Sequence, residues 1–154
     1  MRRIKFKGYG VVLPKNTVSF KDHIRYRISE GETQLSLAVA ACEKALKNSN
    51  ISINDIDCIV SASAVGIQPI PCMAALIHEK IAKGTSIPAL DINTTCTSFI
   101  TALDTMSYLL EAGRYKRVLI VSCDVASSAL NPNQRESFQL FSDGAVAFVV
   151  EKSD

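Results

Sequence analysis

The stretch Ala89-Leu90-Asp91-Ile92-Asn93-Thr94-Thr95-Cys96-Thr97-Ser98-Phe99 decides the fold. Its first half, bounded by Pro88, is apolar and β-branched and reads as a short strand. After it, Phe99, Ala102, Leu103, Met106, Leu109 and Leu110 recur at three- and four-residue steps, which is a helix face. Gly113 then stops that helix. Cys96 stands at the hinge between strand and helix. The unpaired N–H groups and the positive end of the helix dipole lie there, and both favour thiolate over thiol. Two readings follow from position: a nucleophile, or the small buried apolar residue that most cysteines are.

Working outward, strand and helix alternate. Residues 3–12 form an apolar stretch ending at Pro14. Residues 34–47 form a helix with Leu35, Ala38, Val39, Cys42, Ala45 and Leu46 on one face and Glu43, Lys44 and Lys47 on the other. The run from Asp57 to Ala64 is a buried strand, and Pro71 opens a helix carrying Met73, Leu76, Ile77 and Ile81. Val118–Cys123 and Ala145–Val150 are apolar strands. Strands joined through helices imply βαβ crossovers. The expected fold class is α/β: a layered α-β-α unit with a mixed, mostly parallel sheet. The helix after Cys96 is apolar nearly all round, so burial between layers is expected. Glu151-Lys152-Ser153-Asp154 leaves the final strand with no covering helix, which suggests that something else packs there.

Length and composition narrow the function classes. At 154 residues and 47% hydrophobic, the chain suits one domain over residues 1–154 with a substantial core. A net charge of +2 argues for neither nucleic acid nor an acidic surface partner. The basic residues cluster only in Met1–Lys7, read as a polar-flanked edge strand, and in Arg114–Arg117, read as the cationic last turn of a helix. No apolar run is long enough to span a membrane, and the N-terminus lacks the apolar core of an export signal. The five cysteines, at 42, 58, 72, 96 and 123, form no close pair. That spacing argues against a zinc site and a disulfide framework, and a cytoplasmic location with reduced thiols is expected.

Several runs resemble the N-terminal half of 3-oxoacyl-[acyl-carrier-protein] synthase III, within the thiolase-like superfamily. They are Gly8–Pro14, Ile53–Ile59, Asp91–Cys96, Ala112–Leu119 and Phe141–Ala145, in order and at family-like spacing. The resemblance implies an acyltransferase of fatty acid biosynthesis. The cysteine matched by Cys96 takes an acyl group from acyl-CoA and passes it to malonyl-acyl carrier protein with loss of carbon dioxide. A thioester keeps the acyl group reactive between two half-reactions. The cysteine's own N–H would be one oxyanion donor. Arg135, within Asn131–Ser137, matches the arginine that packs on the CoA adenine; a solvated loop charge is the plain alternative. Ile70 matches a position reaching across a homodimer into the partner's acyl pocket; a hydrophobic staple for the following helix is the alternative. Acyl-CoA is then a substrate, and no separate cofactor is expected. The expected partners are acyl-CoA, acyl carrier protein and a second copy of the chain, with neither nucleic acid nor membrane.

The sequence also departs from the family. The family's second half, which supplies a histidine and an asparagine for decarboxylation, is absent. His78 reads as exposed on a helix, and His23 lies in a loop-like polar stretch. The region from Phe20 to Glu32 is shorter than the family's, and the chain has no tryptophan to pair with the arginine. Ser98 and Ser142 replace family glycines. Alternative functions are a non-decarboxylating acyl transferase, a hydroxymethylglutaryl-CoA synthase-like enzyme, or a non-catalytic dimerising or CoA-binding fragment. Asp143-Gly144 is either a turn or a structural element near the site floor. Asp91 as a base for Cys96 gains no support from its spacing.

Overall fold

The computed structural model describes residues 3–153; Met1, Arg2 and Asp154, which belong to the terminal segments read above, lie outside them. In chain order the elements are β1 (Ile4–Val12), β2 (Asn16–Phe20), β3 (His23–Arg27), α1 (Gln34–Ser49), β4 (Cys58–Ser61), α2 (Met73–Ile81), β5 (Ala89–Asp91), α3 (Ser98–Glu111), β6 (Arg117–Asp124), α4 (Arg135–Leu140) and β7 (Gly144–Lys152).

Five strands form one sheet in the order β1-β7-β6-β4-β5. β4 runs parallel to both β5 and β6, whereas β7 pairs antiparallel with β1 and β6. The sheet is mixed as expected, but its pairings divide evenly between parallel and antiparallel. The strands β4 and β6 read as unbroken apolar runs because both of their faces are covered.

One sheet face packs α1 and α2 through Leu37, Ala41, Ala45, Met73 and Ile77 against Ile59, Leu119 and Val149. The opposite face packs α3 through Ala102, Met106 and Leu110 against Cys58, Val60, Val118 and Ile120. The crossover through α2 moves outward along the sheet and that through α3 moves back. Crossovers of one hand therefore place these helices on opposite faces.

Local sequence explains the helix ends. Thr33 caps α1 by accepting from the Ser36 N–H, and Ser36 returns the bond to the Thr33 N–H. α3 stops at Gly113, whose φ of 72° admits the left-handed turn in which the Gly113 and Arg114 N–H groups return to Leu110 and Leu109. The Arg114–Arg117 cluster lies beyond that stop and leads into β6, so it is not a helix turn. Gly10 lets β1 lie against α1: a Cβ there would stand 2.2 Å from the Ala41 carbonyl oxygen.

Three further expectations change. Residues 16–27 form the β2–β3 hairpin with Lys21-Asp22 at its tip, so His23 is on a strand and not in a loop. The alternation of Thr17, Val18, Ser19 and Phe20 carries the strand signal that charge obscured. β7 is an interior strand flanked on both sides, not an uncovered final strand. α3 buries one face only, because Ile100 and Tyr108 are 65% and 56% exposed.

Candidate active site

Because β4, β5 and β6 are parallel, their C-terminal ends lie together at one end of the sheet. The segments that follow them carry Ile70, Cys96 and Arg135, respectively. Ser63–Val65, after β4, joins these segments. The Asn93 side-chain amide donates to the Ala64 carbonyl at 3.0 Å. The Ser98 hydroxyl lies 3.3 Å from the Ser63 carbonyl oxygen. The Ala64 and Val65 N–H groups both donate to Asp124 Oδ1 at 2.9 Å. The Cys123 N–H donates to Ser63 Oγ at 2.9 Å.

Cys96 sits in a 3-10 turn, Thr95–Thr97, that leads directly into α3, and it is exposed. Thr95, just before it, has φ of +57°. Left-handed backbone costs a non-glycine residue about 1–2 kcal/mol, more so when it is β-branched, and persists only when neighbours enforce it. Here the Thr95 N–H donates to Asn93 Oδ1 at 2.9 Å, and the Thr95 carbonyl accepts from the Ser98 hydroxyl at 2.6 Å. The Thr97 hydroxyl donates to the Thr94 carbonyl at 2.8 Å, and the Thr94 and Thr101 hydroxyls meet at 2.8 Å.

The other thiols contrast with Cys96. Burial pushes the Cys42 and Cys58 thiols above their ordinary range and raises that of Cys123 to about 12. Cys72 is half-buried, immediately ahead of α2. Cys96 is therefore the exposed thiol of the five.

Ile70 is 86% exposed, so it staples no helix, and it precedes Pro71 through a cis peptide bond. Arg135 is exposed at the first residue of α4. The β2–β3 hairpin holds that short helix by its C-terminal carbonyls. Arg25 donates to Leu140 at 2.9 Å, and the buried Arg27 donates to Phe138 at 2.7 Å and to Phe141. Cations at a helix C-terminus complement its dipole. The Arg27 guanidinium also lies 5.3 Å from the Phe138 ring centre. His23 contacts the Gln139 carbonyl, and His78, half-buried and not exposed as expected, contacts the Thr85 hydroxyl. Among the described residues, no cluster of three or more His, Cys, Asp or Glu side chains could hold a metal ion.

Two carboxylates find structural roles. Asp91 accepts from the Met73 and Ala74 N–H groups at 2.9 and 2.8 Å, capping α2 from a neighbouring strand. Asp143 is buried and accepts from the Ile28 and Ser127 N–H groups, both at 2.9 Å, and from the Ser127 hydroxyl. It is a structural joint, not a bare turn. Ser142 adds to that joint by accepting from the Tyr26 N–H at 2.7 Å. The sequence reading missed Ser63, Asn93 and Asp124. Their signal was a polar residue at the end of an apolar strand, where a buried group must find a partner.

A layered mixed sheet with a cysteine presented at the entry to its covering helix defines a thiolase-like α/β unit. A family profile for 3-Oxoacyl-[acyl-carrier-protein (ACP)] synthase III matches residues 90–154. Beta-ketoacyl-[acyl-carrier-protein] synthase III of Neisseria gonorrhoeae is 30% identical over 172 aligned positions, covering all of this chain and 54% of the relative. That of Clostridium perfringens is 34% identical over 171 positions, covering 100% of this chain and 52% of the relative. The crystal structure of 3-oxoacyl-[acyl-carrier-protein] synthase III from Aquifex aeolicus superposes with a TM-score of 0.91 at 30% identity, over 98% of this chain and 54% of that one. The chain belongs to the 3-oxoacyl-[acyl-carrier-protein] synthase III family and corresponds to its N-terminal half. It spans about half the length of these relatives.

Proposed function

We infer that this chain carries the nucleophilic half of a condensing enzyme of fatty acid biosynthesis. Cys96 attacks the carbonyl of an acyl-CoA as a thiolate. The C–S bond to CoA breaks, CoA leaves as a thiol after taking up a proton, and the acyl group remains as a thioester on Cys96. Condensation with malonyl-acyl carrier protein follows. The observation that carries this reading is the exposed Cys96 at the entry to α3, among loops from three parallel strands, while Cys42, Cys58 and Cys123 are silenced by burial. Arg135 and the hairpin behind it supply the CoA contact, and Ile70 supplies a wall of the acyl pocket across a homodimer. The β5 edge, which has no strand beyond it among the described residues, supports pairing with a second copy. Five free thiols suit a reducing cytoplasm.

Decarboxylation belongs to the part of the relatives that this chain does not span. Two observations support such a complement. The exposed surface is 8799 Å², against about 7,600 Å² for a compact monomer of this mass. On the α3 side, Phe6 and Tyr9 are 51% and 58% exposed around Phe148, and Phe99 stacks on the same ring at 5.2 Å.

Intact mass after incubation with short acyl-CoAs tests the reading, on the chain alone and with a separately produced complementary half. An acyl mass gain that a Cys96→Ser variant abolishes is the expected result. No gain even with the complement present would overturn it.

A further inference from the structure

We propose that the Ser98 hydroxyl is the positioning group for Cys96, setting the direction and reactivity of its thiol; this rests on the reading of Cys96 as nucleophile. Ser98 is 2% exposed and opens α3 two residues after the cysteine. Its Oγ accepts from the Thr94 N–H at 3.0 Å and donates to the Thr95 carbonyl at 2.6 Å. The hydroxyl thus grips the chain on the near side of Cys96 from a fixed point on the far side. The same carbonyl accepts the Ser98 N–H, so it is held twice by one residue. The Ser63 carbonyl oxygen, after the end of β4, borders the same hydroxyl at 3.3 Å.

The latch acts where the backbone is under most strain. Thr95 is β-branched and holds φ of +57°. Relaxation toward negative φ would turn the Thr95–Cys96 peptide and carry the thiol away from the first turn of α3. The Asn93 side chain restrains the Thr95 N–H, and Ser98 restrains its carbonyl. Position 98, where the resembled family has glycine, offers no hydroxyl in that family. The buried Oγ of Ser98 is instead used by backbone partners just before Cys96.

The test is iodoacetamide alkylation of the whole chain from pH 5 to 10, with peptide mass spectrometry separating Cys96 from the half-buried Cys72 as internal reference. Wild type, Ser98→Ala and Ser98→Thr are compared after circular dichroism shows that each is folded. The Ala variant should alkylate Cys96 at least about fivefold more slowly at neutral pH, with Cys72 unchanged. The Thr variant, which keeps the hydroxyl, should recover most of the rate. A merely structural role would move both thiols or neither. An Ala variant matching wild type at Cys96, or a folded Thr variant as slow as Ala, overturns the proposal and leaves the nucleophile standing. Wild-type Cys96 reacting no faster than Cys72 overturns the nucleophile reading and the proposal together.

Discussion

Replacing Asp143 by alanine should destabilise the fold by about 3–5 kcal/mol. The carboxylate is 2% exposed and serves three donors from two separate segments: the Ile28 N–H on Oδ2, the Ser127 N–H on Oδ1, and the Ser127 hydroxyl. Truncation leaves two half-buried backbone donors without that acceptor. Each orphaned donor costs about 1–3 kcal/mol, and the lost side-chain volume adds to it. For a domain of this size, each kcal/mol lowers Tm by roughly 2–4 °C, so a drop of about 6–20 °C is expected. Asparagine is the informative partner variant. It keeps one oxygen acceptor but turns an NH₂ toward a backbone N–H, so it should cost less than alanine and still more than about 1 kcal/mol. Urea unfolding of the three proteins gives the midpoint shift, read at unchanged slope so that the denatured state is not the cause. An alanine variant within about 1 kcal/mol of wild type would refute the claim that Asp143 joins the hairpin to β7.

Asp91→Ala should cost about 1 kcal/mol, the usual loss for a helix cap, and should leave Cys96 alkylation within twofold of wild type. A tenfold fall in that rate would restore Asp91 as a base. Asp124 is held above the ordinary carboxylate range by burial, which its bonds from the Val65 and Ala64 N–H groups offset only in part. A raised folded-state pKa favours the fold while the group is protonated and loses that advantage as pH rises through it. The stability of wild type relative to Asp124→Asn should therefore fall over the pH interval that begins at the ordinary carboxylate pKa of about 3.9. Chemical unfolding of both at several pH values measures it, and a rise over that interval would contradict the burial argument.

The strand-turn-helix around Cys96 was legible because its period changes from two to three or four within a few residues, and nothing in the tertiary structure opposes it. β4, β6 and β7 were legible as apolar runs for the same reason. The order of the strands was not. A run such as Ala145–Val150 shows burial on both faces but does not say whether its neighbours are parallel or antiparallel, and β7 turned out to be interior. The β2–β3 hairpin was hidden because the residues it turns toward α4 include His23, Arg25 and Arg27, whose partners are carbonyls of that helix, more than a hundred residues away. A cation that satisfies a distant helix end looks like a solvated charge in the sequence. α3 misled in the other direction: Ile100 and Tyr108 suggested burial that the described chain does not provide.

That last mismatch bears on how the chemistry divides. The bonds that shape the Cys96 turn come from Asn93, Thr94, Thr97, Ser98, Thr101 and the end of β4, all within this chain. The conformation that presents the Cys96 thiol is thus a local matter, set by one turn, one hydroxyl and one helix. Ile100 on the open side of α3 and the Phe6 and Tyr9 rings around Phe148 are instead exposed. On the function proposed above, a chain built this way should form and present its thiol unaided, while substrate binding and condensation would need whatever covers that face. Thiol reactivity and turnover should accordingly separate: alkylation of Cys96 insensitive to added complementary half, and condensation wholly dependent on it.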